Sequence, residues 1–305
     1  MSENFVEYYK KAGKAVIEAK KLAIRIAKPG LSFLELAEKC ETKIIDQGAE
    51  LSFPINISLN SIAAHYSPPI NDQTIIPEKG LLKIDMGSHY KGHIADSAFT
   101  INLDNDPKLQ NYIEAAREGL NAAIDKFKPG TRLYELGEAI ADEILKRGLR
   151  PITNLGGHEL KPFDLHAGPF IPNFKDKTHD QVLQPGDAYA CEPFATSGVG
   201  KVVNGRDAFI FRFVKKKTKN MPYELLGFMN KFEEYFKHLP FSPRWILNND
   251  LIPEKKIDRI INNFVRKGIL DKYNILIERS KKPVAQEEHT IVIDMDGNTI
   301  VITRE

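Results

Sequence analysis

The sequence predicts a mixed α/β (α+β) fold built from two pseudo-symmetric halves, with a helical subdomain inserted late in the chain. Three observations carry this. KPGLSFLELAEKCETKIIDQG at 28–48 returns as KPGTRLYELGEAIADEILKRG at 128–148, a gapless echo at an offset of 100. Helix-period stretches precede strand-like runs in both copies. Between 205 and 279 the composition shifts to lysine-rich, aromatic and helical segments that have no counterpart in the repeat. A repeat period of 20–50 residues would signal a solenoid, whereas a unit near 100 residues points to two half-domains facing across a cleft.

Taken in order, Phe5, Tyr9, Ala12, Val16, Ala19, Ala23 and Ala27 recur at steps of three and four, which predicts a helix running to Lys28 and stopped by Pro29-Gly30. A second helix starts near Ser32 as N-cap and ends at Gly48. LLKIDMGSHYKGHIADSAFTINL reads as two strands of a hairpin, centred between Tyr90 and Lys91, with Asp85 facing Asp96. The helix pair then repeats. GDAYACEP near 186–193 matches GLLKIDMG near 80–87, and His166 in DLHAGPF matches His65 in AAHYSPP. PEKKIDRIINNFVRKG predicts a helix with Ile257, Ile260, Ile261 and Val265 inward. Asp296-Gly297 closes a final hairpin that rejoins the central sheet. The expected division is a body of 1–204 and 280–305, with halves near 1–100 and 101–200, and an inserted subdomain of 205–279.

The whole chain is near neutral, with 43 Lys and Arg against 41 Asp and Glu, so any charge-based function is local. Cys40 and Cys191 form no C-x-x-C pair, which removes zinc ribbons and thioredoxin-type redox motifs. No signal-peptide h-region or span-length apolar stretch occurs, so a cytoplasmic location without membrane association is expected.

The informative charges are carboxylates where apolar residues would be expected. Asp85 and Asp96 interrupt apolar strands, and Glu192 and Glu288 sit in AYACEPFA and VAQEEHTIVI. Singly, each has a plain alternative as a solvated turn residue, an edge device or half of an ion pair. His158 and His166 lie eight apart among glycine and proline, where a structural role is the commoner one. Together, four carboxylates and an imidazole in apolar surroundings suit two divalent cations sharing bridging carboxylates.

KIDMGSHYKGHIADSAFT, GGHELKPFDLHAG, ACEPFAT and AQEEHT, in that order, resemble the methionine aminopeptidases over nearly the whole chain. SFPINISLN before AAHYSP and the long insertion resemble the type II branch, in its short archaeal-like form. The resemblance implies the "pita-bread" fold, an antiparallel sheet covered by helices with a winged-helix-like insertion. It also implies a ligand set of Asp85, Asp96, His158, Glu192 and Glu288 for two metal ions (Co, Mn, Fe or Zn). Asp96 and Glu288 would bridge, Asp85 would chelate one ion, and His158 with Glu192 would complete the other. The same resemblance makes His166 the partner of the scissile carbonyl, His65 a contact for the next residue's backbone, Glu192 a proton shuttle, and Phe53 a wall of the methionine pocket. It implies removal of the initiator methionine from nascent chains when the second residue is small, by a monomer in transient contact with the ribosome. Two other readings are an X-Pro peptidase of the same fold and a non-catalytic ribosome- or RNA-binding relative, for which Lys215-Lys216-Lys217 is the candidate surface. Relatives usually carry an aromatic residue at 287; here Glu287 stands beside Glu288 and is expected on the opposite strand face.

Overall fold

The computed structural model describes residues 5–217, 219 and 221–305. Two long helices open the chain, α1 (Phe5–Ile26) and α2 (Phe33–Asp46). α1 ends two residues before the predicted stop. Ser32 caps α2 by accepting from the Glu35 N–H. Strands β1 (Glu50–Leu59), β2 (Ile62–Ala64), β3 (Leu81–Tyr90) and β4 (His93–Asn102) follow. The second helix pair is α3 (Pro107–Lys126) and α4 (Leu133–Lys146). Shorter strands come next: β5 (Arg150–Pro151), β6 (Gly156–Glu159), β7 (Phe170–Pro172), β8 (Ala188–Cys191) and β9 (Phe194–Thr196).

Each helix pair covers its own apolar core. α1 and α2 bury Val16, Leu36 and Ile44 against Ile55 and Ile84, while α3 and α4 bury Leu120, Leu136 and Ile140 against Ile171 and Ile291. The repeated Gly48 and Gly148 both take positive φ after their helices. The duplicated segment therefore encodes a helix that ends the same way twice.

The hairpin β3–β4 corrects one expectation. Its two-residue turn is Lys91-Gly92, with φ of 50° and 86°, so Tyr90 pairs with His93. A two-residue turn of this hand needs positive φ at both positions, which Gly92 supplies freely. The ladder shifts accordingly: Asp85 lies opposite Ala98 and Asp96 opposite Gly87. The two aspartates are diagonal neighbours on one face, not a directly opposed pair.

β10 (Val202–Phe213) and β12 (Leu270–Glu278) form a long antiparallel ribbon, and between them stand α5 (Tyr223–Phe236), β11 (Pro240–Phe241), α6 (Pro243–Asn248) and α7 (Ile257–Arg266). The expected boundary at 204/205 falls inside β10, and β12 pairs with β2. The composition changes within one strand, at an irregularity of its ladder between Asn204 and Ala208. The lobe has its own core of Phe232, Phe241, Ile260 and Phe264. In α7 it is Phe264, not Val265, that is buried, since Val265 is only partly covered. Arg244 on α6 makes a buried bidentate pair with Glu41 on α2, at 2.9 Å for both contacts, and donates to the Pro68 carbonyl. That pins lobe to body with the planar geometry only arginine offers.

The chain closes with β13 (Val284–Gln286), β14 (His289–Ile293) and β15 (Thr299–Val301), the last two joined through Asp296-Gly297 as the sequence predicts. β14 joins β15 and β8 in a five-stranded sheet, order β15-β14-β8-β6-β7.

Candidate metal centre

The centre forms where β4 of the first half runs beside the C-terminal strands β13 and β14. The Asp96 N–H donates to Thr290 Oγ1, the Thr290 hydroxyl donates back to the Asp96 carbonyl, and the Glu288 N–H donates to the Ala98 carbonyl. Thr100 exchanges bonds with Gln286 in the same way. This stitching sets Glu288 beside Asp96 although 192 positions separate them. Glu192 and Glu288 do not lie within strands, as their flanks predict, but in the breaks between β8 and β9 and between β13 and β14. A break lets the side chain leave the period-2 alternation and turn into the cavity.

One cavity of about 230 Å³ is lined by all eight residues singled out from the sequence: Phe53, His65, Asp85, Asp96, His158, His166, Glu192 and Glu288. Within it, ligand atoms of Asp96, His158 and Glu288 lie within 4.8 Å of one another. His158 Nε2 is 3.7 Å from Asp96 Oδ2 and 3.8 Å from Glu192 Oε1. These spacings are too long for hydrogen bonds. Asp85 Oδ1, Asp96 Oδ1 and Glu288 Oε2 are buried with no hydrogen-bond partner in the protein. Orphaned buried oxygens are costly unless something outside the protein satisfies them.

The electrostatics agree. Burial pushes the Asp85 carboxyl up to about 7. Burial, then the neighbouring Asp85 and Glu192, drives Asp96 well up, and burial followed by Asp96, Glu192 and Asp85 does the same to Glu288. Burial holds His158 down to about 4, so its imidazole is neutral and available as a ligand. Four mutually repelling carboxylates and a neutral imidazole around unsatisfied oxygens fit divalent cations and fit no all-protein ion pair.

The two flanking histidines differ. His65 is held in the left-handed region at φ 67°, with Nδ1 3.1 Å from the Asn274 carbonyl, and burial lowers its pKa to about 4. Such a conformation in a residue other than glycine is strained by roughly 1–3 kcal/mol and persists only where its surroundings over-determine it. His166 stands exposed at the cavity mouth, its ring centroid 4.3 Å from that of His158. Phe53 is buried beside Gly87, where any Cβ would meet its ring at 2.1 Å. Gly87, opposite Asp96, thus makes room for the cavity wall. Glu287 turns the other way, 3.4 Å from Arg117 and near Lys20.

Sequence reasoning missed several wall residues. Tyr273, Ile210 and Pro240 come from the ribbon and lobe, and Asn56 and Asn154 from the halves. Gln286 donates to Glu192 Oε2 at 3.1 Å. Its place two residues before Glu288, inside AQEEHT, is the one signal that could have singled it out. Tyr273 makes an edge contact with the His65 ring at 5.2 Å, and nothing local to DKYNIL announces it.

A model of metallopeptidase family M24 matches residues 7–216. The chain is 40% identical over 289 residues to a methionine aminopeptidase of Pyrococcus horikoshii, covering 95% of this chain and 96% of that one. Among solved structures, a thermophilic Arx1 superposes with a TM-score of 0.85 at 16% identity, covering 99% of this chain and 91% of that one. The methionine aminopeptidase of Thermotoga maritima gives 0.72 at 20%, covering 100% and 98%. At such identities the structures speak for the fold alone, and they agree with the pita-bread architecture. The family match and the full-length likeness at 40% identity say more: the chain belongs to metallopeptidase family M24, among the methionine aminopeptidases.

Proposed function

We propose that the protein removes the N-terminal methionine from nascent proteins and peptides, preferentially when the second residue is small, using two divalent metal ions. One observation carries the reading: four carboxylates, two buried and two partly buried, and a neutral imidazole line a single cavity that also receives His65, His166 and Phe53. Asp85, Asp96, His158, Glu192 and Glu288 would hold the ions. Bound there, the ions supply an activated water and Lewis acidity at neutral pH.

The chain's own residues do the rest. His166 at the mouth donates to the scissile carbonyl oxygen and to the charge that grows on it. His65, its ring oriented by the Asn274 carbonyl and the Tyr273 edge, contacts the backbone of the second residue. Glu192 moves a proton toward the departing amine, and the amide of Gln286 keeps its carboxylate oriented. Phe53, with Ile210 and Pro240, forms the apolar wall for the methionine side chain. Such a wall discriminates between linear side chains by only ~1–3 kcal/mol per methylene. The body carries this chemistry and the lobe of α5–α7 closes one side of it. A monomer acting in the cytoplasm, in brief contact with the ribosome, fits a substrate taken as it emerges.

Hydrolysis of Met-Ala-Ser is expected to vanish with chelator and to return with Co²⁺, Mn²⁺ or Fe²⁺. Activity in metal-free protein that ignores chelator would overturn the metal reading, and preference for Ala-Pro substrates would make the protein an X-Pro peptidase.

A further inference from the structure

We propose that Arg212 and Lys272 form a cationic rim that reads the charge of the substrate some three to five residues beyond its first peptide bond. The inference rests on the aminopeptidase reading above and concerns the part of the chain that lies outside the metal centre. A second hollow of about 310 Å³ is lined by His166, Arg212, Asp271, Lys272 and Tyr273. It shares His166 and Tyr273 with the main cavity, so the two adjoin at the mouth. Ile210 pairs with Tyr273 and both line the cavity, while Arg212 pairs with Asp271 two positions further along the ribbon. With alternating side chains, Arg212 and Asp271 stand on the same ribbon face as Ile210 and Tyr273, about 7 Å further out. A peptide leaving the cavity past Tyr273 meets them next.

The charge there is unevenly committed. Arg212 approaches Asp271 at 3.7 Å, beyond hydrogen-bond range, so its guanidinium retains donors for a carboxylate or a peptide carbonyl. Lys272, between Asp271 and Tyr273 and so on the opposite ribbon face, is exposed, borders the same hollow and adds a second cation. Across the mouth, Asp164 exchanges backbone bonds with Lys161, whose ammonium pairs with Glu159 at 2.9 Å, so that side of the mouth carries an acid while the two cations stand on the ribbon. The wider field has the same sign. Residues 205–279 contain 16 Lys and Arg against 9 Asp and Glu, a net of +7, so with the whole chain at +2 the rest of the molecule is at −5. Acidic residues downstream of the small second residue are therefore drawn to the mouth and basic ones repelled.

The test compares Met-Ala-Ser-Asp-Glu with Met-Ala-Ser-Lys-Lys on the metal-loaded, full-length protein. The acidic peptide is expected to show a kcat/KM about fivefold to tenfold higher at low salt, through KM, as befits one or two half-exposed charge contacts. The difference should shrink toward unity near 0.5 M salt, roughly where screening acts within a few ångströms. Arg212→Glu should invert the preference, and Lys272→Glu, on the exposed side of the ribbon, should reduce it. Equal turnover of the two peptides, or a preference that neither salt nor either variant moves, overturns the rim. If Met-Ala-Ser itself resists hydrolysis, the aminopeptidase reading fails and the rim falls with it. Turnover of Met-Ala-Ser with no charge discrimination removes the rim alone.

Discussion

The two halves of the body begin alike and end differently. Both open with a helix pair over an apolar core, and both close the second helix with a glycine at positive φ. The first half then continues into a hairpin of two ten-residue strands carrying Asp85 and Asp96. The second half continues into strands of two to four residues and carries His158 on one of them and Glu192 in a gap. Its histidine is exposed at the mouth, whereas the first half's His65 is wedged at strained φ. The difference teaches that a duplicated scaffold can hold a rigid face and an adaptable one. Two ligands on one long ladder have their separation set by backbone hydrogen bonds. Ligands in strand breaks depend on neighbours such as Gln286 for their aim.

Removing one side chain from each half tests this asymmetry. Asp96→Ala should bring Met-Ala-Ser hydrolysis to background while solubility holds, an effect beyond the ~10–100-fold of outer-shell partners. Retained turnover would show that the ladder does not carry the metals. His166→Ala should lower kcat by about 10²–10³, as removal of an oxyanion donor does, whereas His65→Ala should act chiefly through KM. Equal kinetic signatures for the two would erase the distinction drawn between mouth and wedge. Gln286→Leu leaves Glu192 without its amide and should cost roughly tenfold in activity or metal affinity, which a metal titration would read.

The smallest expected effect concerns pH in metal-free protein. Burial raises the Asp85 carboxyl to about 7, above its ordinary 3.8, so the stability it lends is complete below pH 3.8 and is lost as pH rises through 7. Asp85→Asn should flatten that loss by on the order of 1 kcal/mol between pH 4 and 7, read by urea unfolding of both proteins. His65 pulls the other way in part of this window, because its depressed pKa favours the fold above pH 6.5. The difference between the two unfolding curves isolates the aspartate, and parallel curves would show that its burial is immaterial.

Much of this was legible in the sequence because it is local or repeated. Ser32 capping α2, the glycines after both helices and the Asp296-Gly297 turn follow from side-chain hydrogen bonding and from φ preferences that act within a few residues. The four carboxylates stood out because ionisable groups are expensive in apolar strands. The hairpin register was less legible. Apolar patterning tolerates a shift of the turn centre by one residue, and only the φ demanded at Lys91 and Gly92 decides it.

By itself the sequence determined the helix pairs, their duplication, and which ionisable residues stand out of place. Only the tertiary structure decided that Asp96 lies beside Glu288, that Tyr273 of the ribbon braces His65, and that Arg212 stands outward of the mouth. Those pairings join positions up to about 200 residues apart through backbone ladders and shared burial, and neither leaves a periodic trace along the chain. Periodicity reports which face a residue presents, while the neighbour it finds there is set by how the halves and the lobe close on one another.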